Sequence, residues 1–249
     1  LPTVTAVAGF TVEYNIDGAG YSSSPTVPTT PGCHNVQARY VLTSDCDGSL
    51  AGSTGPALCL ESNTVSIVIF PTQPTLTPPS NTCAGTAFTL PTVTPVAGFT
   101  VQYSVNGGAY STSPSVPTTA GCHSVKARYV LNSACGTNAA NTTAPAGCLE
   151  SASVNVVIFP SAPVISATSN TCSGTSFSLP SVAAVSGFTV EYNIDGGGYT
   201  STPSAPSTPG CHTVQARYVL TAACGTNASG TTAPAGCLES NTASIVVFP

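Results

Sequence analysis

The sequence predicts an all-β protein: tandem immunoglobulin- or fibronectin-like β-sandwich repeats of 89 residues, arranged as an elongated rod. Three observations carry this. First, the chain repeats itself, and that governs every later step. Gly-Phe-Thr-Val occurs three times, with its phenylalanine at 10, 99 and 188. Cys33-His34, Cys122-His123 and Cys211-His212 keep the same step, with no insertion or deletion between copies. Second, large apolar residues alternate with polar ones at a period of two, the pattern of a half-buried strand. Third, Asp-Gly, Asn-Gly and Pro-Gly turns punctuate the copies, and no stretch shows helical amphipathicity. Each copy ends in Phe-Pro, which gives repeats at 1–71, 72–160 and 161–249. The first begins 18 residues into the period.

The elements follow in order, with the second copy as template. Weak strands are expected near Thr75–Pro78 and Thr86–Leu90. The clearest strand starts at Phe99, with Phe99, Val101, Tyr103 and Val105 on one face and Thr100, Gln102 and Ser104 on the other. Asn106-Gly107 then supplies the positive φ of a tight hairpin, as Asp17-Gly18 and Asp195-Gly196 do elsewhere. A short return strand is expected around Tyr110. After a Pro-rich stretch, Cys122 opens a long strand with Val125, Ala127, Tyr129 and Leu131 facing inward. The last strand, Ser153 to Phe159, is rich in β-branched residues. Short linkers, Pro71-Thr-Gln-Pro74 and Pro160-Ser-Ala-Pro163, contain two prolines each, and proline stiffens the chain. That favours a semi-rigid rod.

Eleven cysteines fall four to a full copy and three in the first. The missing one would precede Leu1, at the place held by Cys83 and Cys172. Copies this small often need staples to supplement a lean core. Cys122 and Cys135 bracket one strand, so they lie too far apart to bond each other. Cys135 and Cys148 flank the loop Gly136–Gly147 and can close it, which leaves Cys83 for Cys122. Of the three pairings that four cysteines allow, spacing therefore favours Cys46–Cys59, Cys135–Cys148, Cys224–Cys237, Cys83–Cys122 and Cys172–Cys211. Cys33 is then expected to bond a residue outside the chain.

Composition excludes several functions. Four basic residues cannot form the footprint of a nucleic-acid binder. No apolar run reaches the length of a membrane-spanning helix. No Cys-x-x-Cys pair accompanies the histidines, so no metal or other cofactor is expected, and His34, His123 and His212 read as strand-start residues beside cysteines. The second copy contains a single acid, Glu150. It cannot supply the paired carboxylates of a glycosidase, and no Gly-x-Ser-x-Gly elbow is present. No catalytic residue is expected. Arg39, Arg128 and Arg217 recur opposite Glu13, Gln102 and Glu191, which suits cross-strand pairing, with an anion or glycan contact as the sharper alternative. The loops Gly136–Gly147 and Gly225–Gly236 are the best candidate contact surface. They carry the sequons Asn141-Thr-Thr143 and Asn227-Ala-Ser229.

The runs Phe188-Thr-Val-Glu-Tyr-Asn-Ile-Asp-Gly-Gly-Gly-Tyr199 and Pro209-Gly-Cys-His-Thr-Val-Gln-Ala-Arg-Tyr218 resemble immunoglobulin-like repeats in very large secreted surface proteins of Bacteroidota, including gliding-motility-type adhesins of the type IX system. The resemblance implies an extracellular or cell-surface location, tandem arrays, and adhesive or filament-forming roles. It supplies no catalytic residues. The expected function is a non-catalytic, disulfide-stabilised structural segment of a surface adhesin or filament. Its partners would be neighbouring repeats or identical chains in a fibre, with surface glycans as a further candidate. Two alternatives stand beside this: a filament subunit polymerising by strand exchange, and a carbohydrate-binding module of a secreted enzyme.

Overall fold

In a computed structural model, residues 1–45, 49–56 and 61–249 are described. Among the described residues the chain is all-β apart from 3₁₀ turns at Ala146–Cys148 and Ala235–Cys237. The first copy contains β1 (Phe10–Ile16), β2 (Tyr21–Ser22), β3 (Gly32–Leu42) and β4 (Val65–Ile69). The second contains β5 (Thr82–Cys83), β6 (Phe99–Val105), β7 (Gly121–Leu131) and β8 (Val154–Phe159). The third contains β9 (Thr171–Cys172), β10 (Phe188–Ile194), β11 (Tyr199–Thr200), β12 (Gly210–Leu220) and β13 (Ala243–Phe248). Each copy builds one sheet, in the orders β2-β1-β3-β4, β5-β8-β7-β6 and β11-β10-β12-β13-β9.

The period-two faces hold. Along β7, His123, Val125, Ala127, Tyr129 and Leu131 are buried while Cys122, Ser124, Lys126 and Arg128 are not. The hairpins turn where expected, with Asp17, Asn106 and Asp195 at φ of 51°, 52° and 52°. The return strand expected near Tyr110 is reduced to one bridge, Tyr103 to Ser111.

The opening strands differ from expectation. Neither Thr75–Pro78 nor Thr86–Leu90 forms a ladder. Pro78 has no N–H to donate, and Pro74, Pro79 and Pro91 border these segments, which disfavours a ladder there. They lie instead as extended chain over the sheet and form the second layer of the sandwich. Phe88, Leu76 and Leu90 pack there on Val105, Val125, Val156 and Ile158. Ile165, Phe177 and Leu179 do the same on Val214, Ala216 and Ile245. Tyrosine hydroxyls tie this layer down: Tyr103 donates to the Pro91 carbonyl and Tyr192 to that of Pro180, each at 2.8 Å. One true ladder survives in this region. The two-residue strands β5 and β9 pair in parallel with β8 and β13, setting Cys83 beside Phe159 and Cys172 beside Phe248.

The chain forms two compact units. One comprises Leu1–Pro74, Val93–Gln102 and Ala127–Ser151, the other Thr75–Thr92, Tyr103–Lys126 and Ala152–Pro249. The second copy thus contributes to both. In the first unit, β4 is an edge, and its Val65 and Ile67 are 39% and 37% exposed. Their third-copy equivalents, Ala243 and Ile245, are buried.

Candidate functional site: the junction between copies

Among the described residues, the disulfides do not staple the copies internally. Cys33 bonds Cys135, Cys122 bonds Cys224, and Cys83 bonds Cys237. Each pair joins one copy to the next, with Cα atoms 5.8, 5.9 and 5.9 Å apart. The expected pairs Cys135–Cys148, Cys224–Cys237, Cys83–Cys122 and Cys172–Cys211 are therefore corrected. Cys33 bonds within the chain rather than outside it, and Cys148, Cys172 and Cys211 are free thiols. The expected pair Cys46–Cys59 lies outside the described residues.

Strand order explains the correction. Cys83 is on β5 and Cys122 on β7, and β8 runs between them. Two interstrand spacings come to about 9.5 Å, beyond the roughly 7 Å a disulfide tolerates. The same holds for Cys172 and Cys211 across β13. Cys122 and Cys135 indeed sit at opposite ends of β7 and cannot meet. Their equivalents in adjacent copies can, because the start of one copy's long strand faces the loop of the next. The loop after Cys135 needs no internal staple. Cys135 and Asn138 exchange both backbone hydrogen bonds, at 2.8 and 3.0 Å, and Leu131 N–H donates to the Thr142 carbonyl.

A shared core surrounds each set of bonds. In the larger unit, Val157 and Phe159 of β8 pack against Phe188, Tyr218, Leu220, Ala233 and the cysteines Cys224 and Cys237. Both β8 residues are fully buried. The Phe159 and Phe188 ring centroids are 5.4 Å apart, and in the smaller unit Phe70 meets Phe99 at 5.5 Å. A side chain from the end of one copy thus seats at the start of the next copy's β6 or β10 in both cases.

Two polar devices complete the junction. Gly225 and Gly136 have φ of 59° and 58°, and a Cβ there would lie 2.6 Å from Asn155 Cβ and 2.8 Å from Ser66 Cβ. Only glycine lets the loop approach the preceding copy's last strand so closely. Asn81 Oδ1 accepts the Val157 N–H at 2.9 Å, and its amide donates to Asn227 Oδ1 at 2.8 Å. The sequon residue Asn227 is thereby engaged at the junction, whereas Asn141, at φ 65°, is exposed. By loop entropy, closing 102 residues through Cys122–Cys224 contributes up to about 4.7 kcal/mol.

The other singled-out residues brace single copies. Arg39 Nε and Nη2 donate to Glu13 Oε2 at 3.0 and 2.8 Å, and Arg217 repeats this on Glu191. Gln102 takes the acid's place opposite Arg128, at 3.1 and 2.9 Å. The Arg39 and Arg217 guanidinium groups also lie over the Tyr21 and Tyr199 rings, at 4.1 and 4.0 Å. These arginines are committed to cross-strand partners.

The histidines gain a role that sequence reading missed. His34 Nδ1 meets Asp17 Oδ2 at 2.7 Å, and its Nε2 donates to the Thr30 carbonyl at 2.9 Å. Asp17 Oδ1 accepts the Asn35 N–H at 2.8 Å. The Asp17 hydrogen bond, then that to Thr30, raises the His34 pKa, and the His34 hydrogen bond lowers that of Asp17. His212 and Asp195 repeat the pair at 2.7 Å. In the second copy the Asn106 amide faces His123 Nδ1 at 3.0 Å, which suits a ring with its hydrogen on Nε2. The signal was present: aspartate and histidine keep a fixed separation of 17 in copies one and three. These pairs fasten the hairpin to the long strand. Among the described residues no group of three or more His, Cys, Asp or Glu is placed to hold a metal ion. Among the described residues no helix is long and apolar enough to cross a membrane.

No family model matches the chain, and no curated protein matches it. Among solved structures it is similar to SGBP-B of a Bacteroides ovatus mixed-linkage glucan utilization locus, solved with a mixed-linkage heptasaccharide. That match has 12% identity and a TM-score of 0.21, and covers 98% of this chain and 62% of the other. It is also similar to Drosophila N-cadherin EC1-4, at 8% identity and a TM-score of 0.22, over 99% of this chain and 69% of the other. The chain thus spans less than two thirds of the first structure's length.

Proposed function

We propose that this chain is a non-catalytic structural segment of an extracellular adhesin or filament, in which disulfides hand mechanical continuity from one copy to the next. The observation that carries the reading is the direction of the bonds. A disulfide inside a copy stabilises that copy, whereas one between copies resists their separation under load. Three such bonds, each enclosed by more than a hundred residues of chain, suit an oxidising setting outside the cytoplasm. The Pro-containing linkers support an extended order of the copies.

Non-reducing peptide mapping of the secreted, oxidised protein tests this. The expected bridged peptides are Cys33–Cys135, Cys83–Cys237 and Cys122–Cys224. Bridges confined to single copies would overturn the proposal. Solution scattering tests the extended order, and a compact globular profile would refute that part.

A second reading rests on the open edge of β4. Exposed Val65 and Ile67 can accept a strand from another chain. A peptide with the sequence of residues 72–89 added in trans should then raise the melting temperature of the first copy; no effect would dismiss strand exchange.

A further inference from the structure

The loop after the long strand closes on the same turn in every copy. Gly52, Asn141 and Gly230 each donate their N–H to the carbonyl of that strand's last residue, Leu42, Leu131 or Leu220, at 2.8, 2.7 and 2.8 Å. All three have positive φ, at 90°, 65° and 83°. Glycine serves this position in copies one and three, as the left-handed region favours. In the second copy an asparagine stands there instead, and asparagine is one of the few other residues that tolerate this conformation. Hydroxyl residues follow in every copy: Ser53-Thr54, Thr142-Thr143 and Thr231-Thr232. The exchange of glycine for asparagine therefore completes the sequon Asn141-Thr142-Thr143.

The sequons Asn141-Thr-Thr143 and Asn227-Ala-Ser229 stand in opposite situations. Asn141 is exposed, and its amide has no hydrogen-bond partner among the described residues. A Cβ built at the matching glycines, Gly52 and Gly230, meets nothing within 4 Å, so a side chain at this turn projects into open space. Thr143 joins the long strand through an isolated bridge to Val130, so little backbone must open to draw the tripeptide out. Asn227 is held at both ends of its amide. Its Oδ1 accepts from Asn81 at 2.8 Å, and its Nδ2 donates to the Cys224 carbonyl at 3.4 Å. Cys224 is 2% exposed. A sugar on that nitrogen would be driven against the buried cysteine and could not coexist with a closed junction.

We propose that Asn141 is an N-glycosylation site and that the closed junction keeps Asn227 bare. In the transfer, Asn141 Nδ2 bonds the anomeric carbon of an oligosaccharide carried on a lipid pyrophosphate. The bond from that carbon to the pyrophosphate oxygen breaks, and the amide proton passes to a base of the transferase. The attached glycan is bulky, hydrated and turned outward. It adds solubility to a chain in which 5% of residues are charged. This rests on the extracellular reading above, because exported chains are the ones that meet such donors.

The 249-residue chain tests it when secreted from a eukaryotic host that transfers high-mannose oligosaccharide to Asn-x-Ser/Thr. Intact mass should show one glycan. Release by peptide N-glycosidase in heavy-oxygen water should leave a labelled aspartate at position 141. In molecules carrying the Cys83–Cys237 and Cys122–Cys224 bridges, occupancy of Asn227 should be lower by about ten-fold or more, since freeing its amide breaks two hydrogen bonds. Asn141→Gly installs the residue of the other copies, so it should keep the turn and remove the glycan. Gly230→Asn completes a sequon with Thr231 and Thr232 in open space and should add a second glycan. A bare Asn141, equal occupancy of Asn227 in bridged molecules, or no second glycan on Gly230→Asn would overturn the inference. Mapping the protein from its own source separates this inference from the extracellular reading. Secreted protein with its bridges intact and Asn141 bare removes only the glycan; intracellular protein with reduced cysteines removes both.

Discussion

Phe159 and Phe248 occupy the same place in successive copies, so the same substitution measures what a junction contributes. Phe159 is fully buried among Val157, Phe188, Tyr218 and Leu220. Phe159→Ala removes its ring and leaves a void. Cys224 and Cys237, both disulfide-bonded to the preceding copy, line that void and limit its collapse. Phe-to-Ala truncations cost about 3–5 kcal/mol, and a wall that cannot relax places this one near the upper end, about 4 kcal/mol. Phe248 is 53% exposed, so Phe248→Ala in the monomer forfeits about half of a phenylalanine's transfer term and leaves no enclosed cavity, about 1 kcal/mol at most. The assay is urea unfolding with disulfides intact. It is followed by far-ultraviolet circular dichroism and tyrosine fluorescence, since the chain has no tryptophan. Equal losses for the two variants, within about 1 kcal/mol, would refute the account of the junction as a shared core.

Gly225→Ala should destabilise the larger unit by more than 1 kcal/mol, because it adds strain at positive φ to a clash with Asn155, whereas Gly230→Ala, at φ 83° with open space around it, should cost only the φ term; equal losses in thermal melts would remove the close approach from the argument. The pKa of His34 is raised in the folded state, so its contribution is complete below the unfolded value of about 6.5 and disappears as pH rises through the folded value. The pKa of Asp17 is lowered, so its share is complete above about pH 4 and disappears as pH falls through its folded value. The pair thus supports the hairpin most between about pH 4 and 6.5, and Asp17→Asn should abolish that dependence; an imidazole NMR titration placing His34 below about 6.5 would contradict this. Glu191→Gln should cost less than about 1 kcal/mol in chemical denaturation, because the ion pair is partly solvated and the second copy already uses Gln102 there.

Much of the fold was legible because period and face are local properties. Val125, Ala127, Tyr129 and Leu131 point inward because a strand alternates, wherever the strand lies. Asp17, Asn106 and Asp195 adopt positive φ because few other residues tolerate it beside glycine. The cross-strand Arg39–Glu13 pair could be read from recurring charge at matching places. The first opening segment was misread for an equally local reason: Pro78 cannot donate to a ladder.

The disulfides were different. Sequence spacing limits which cysteines cannot meet, and it correctly excluded Cys122 with Cys135 inside one copy. It could not choose among the remaining partners, because translation by 89 residues gives every cysteine an equivalent elsewhere and spacing alone cannot say which equivalent lies nearby. Strand order decided that. With β8 between Cys83 and Cys122, and the loop of the following copy packed on the Val157/Phe159 face of β8, the short-range partners are out of reach and the long-range ones adjacent. The sequence by itself determined the repeat, the sheet faces, the turns and the absence of a recognisable catalytic motif. Tertiary structure alone decided which copies are bonded, since a disulfide depends on distance between strands and not on distance along the chain.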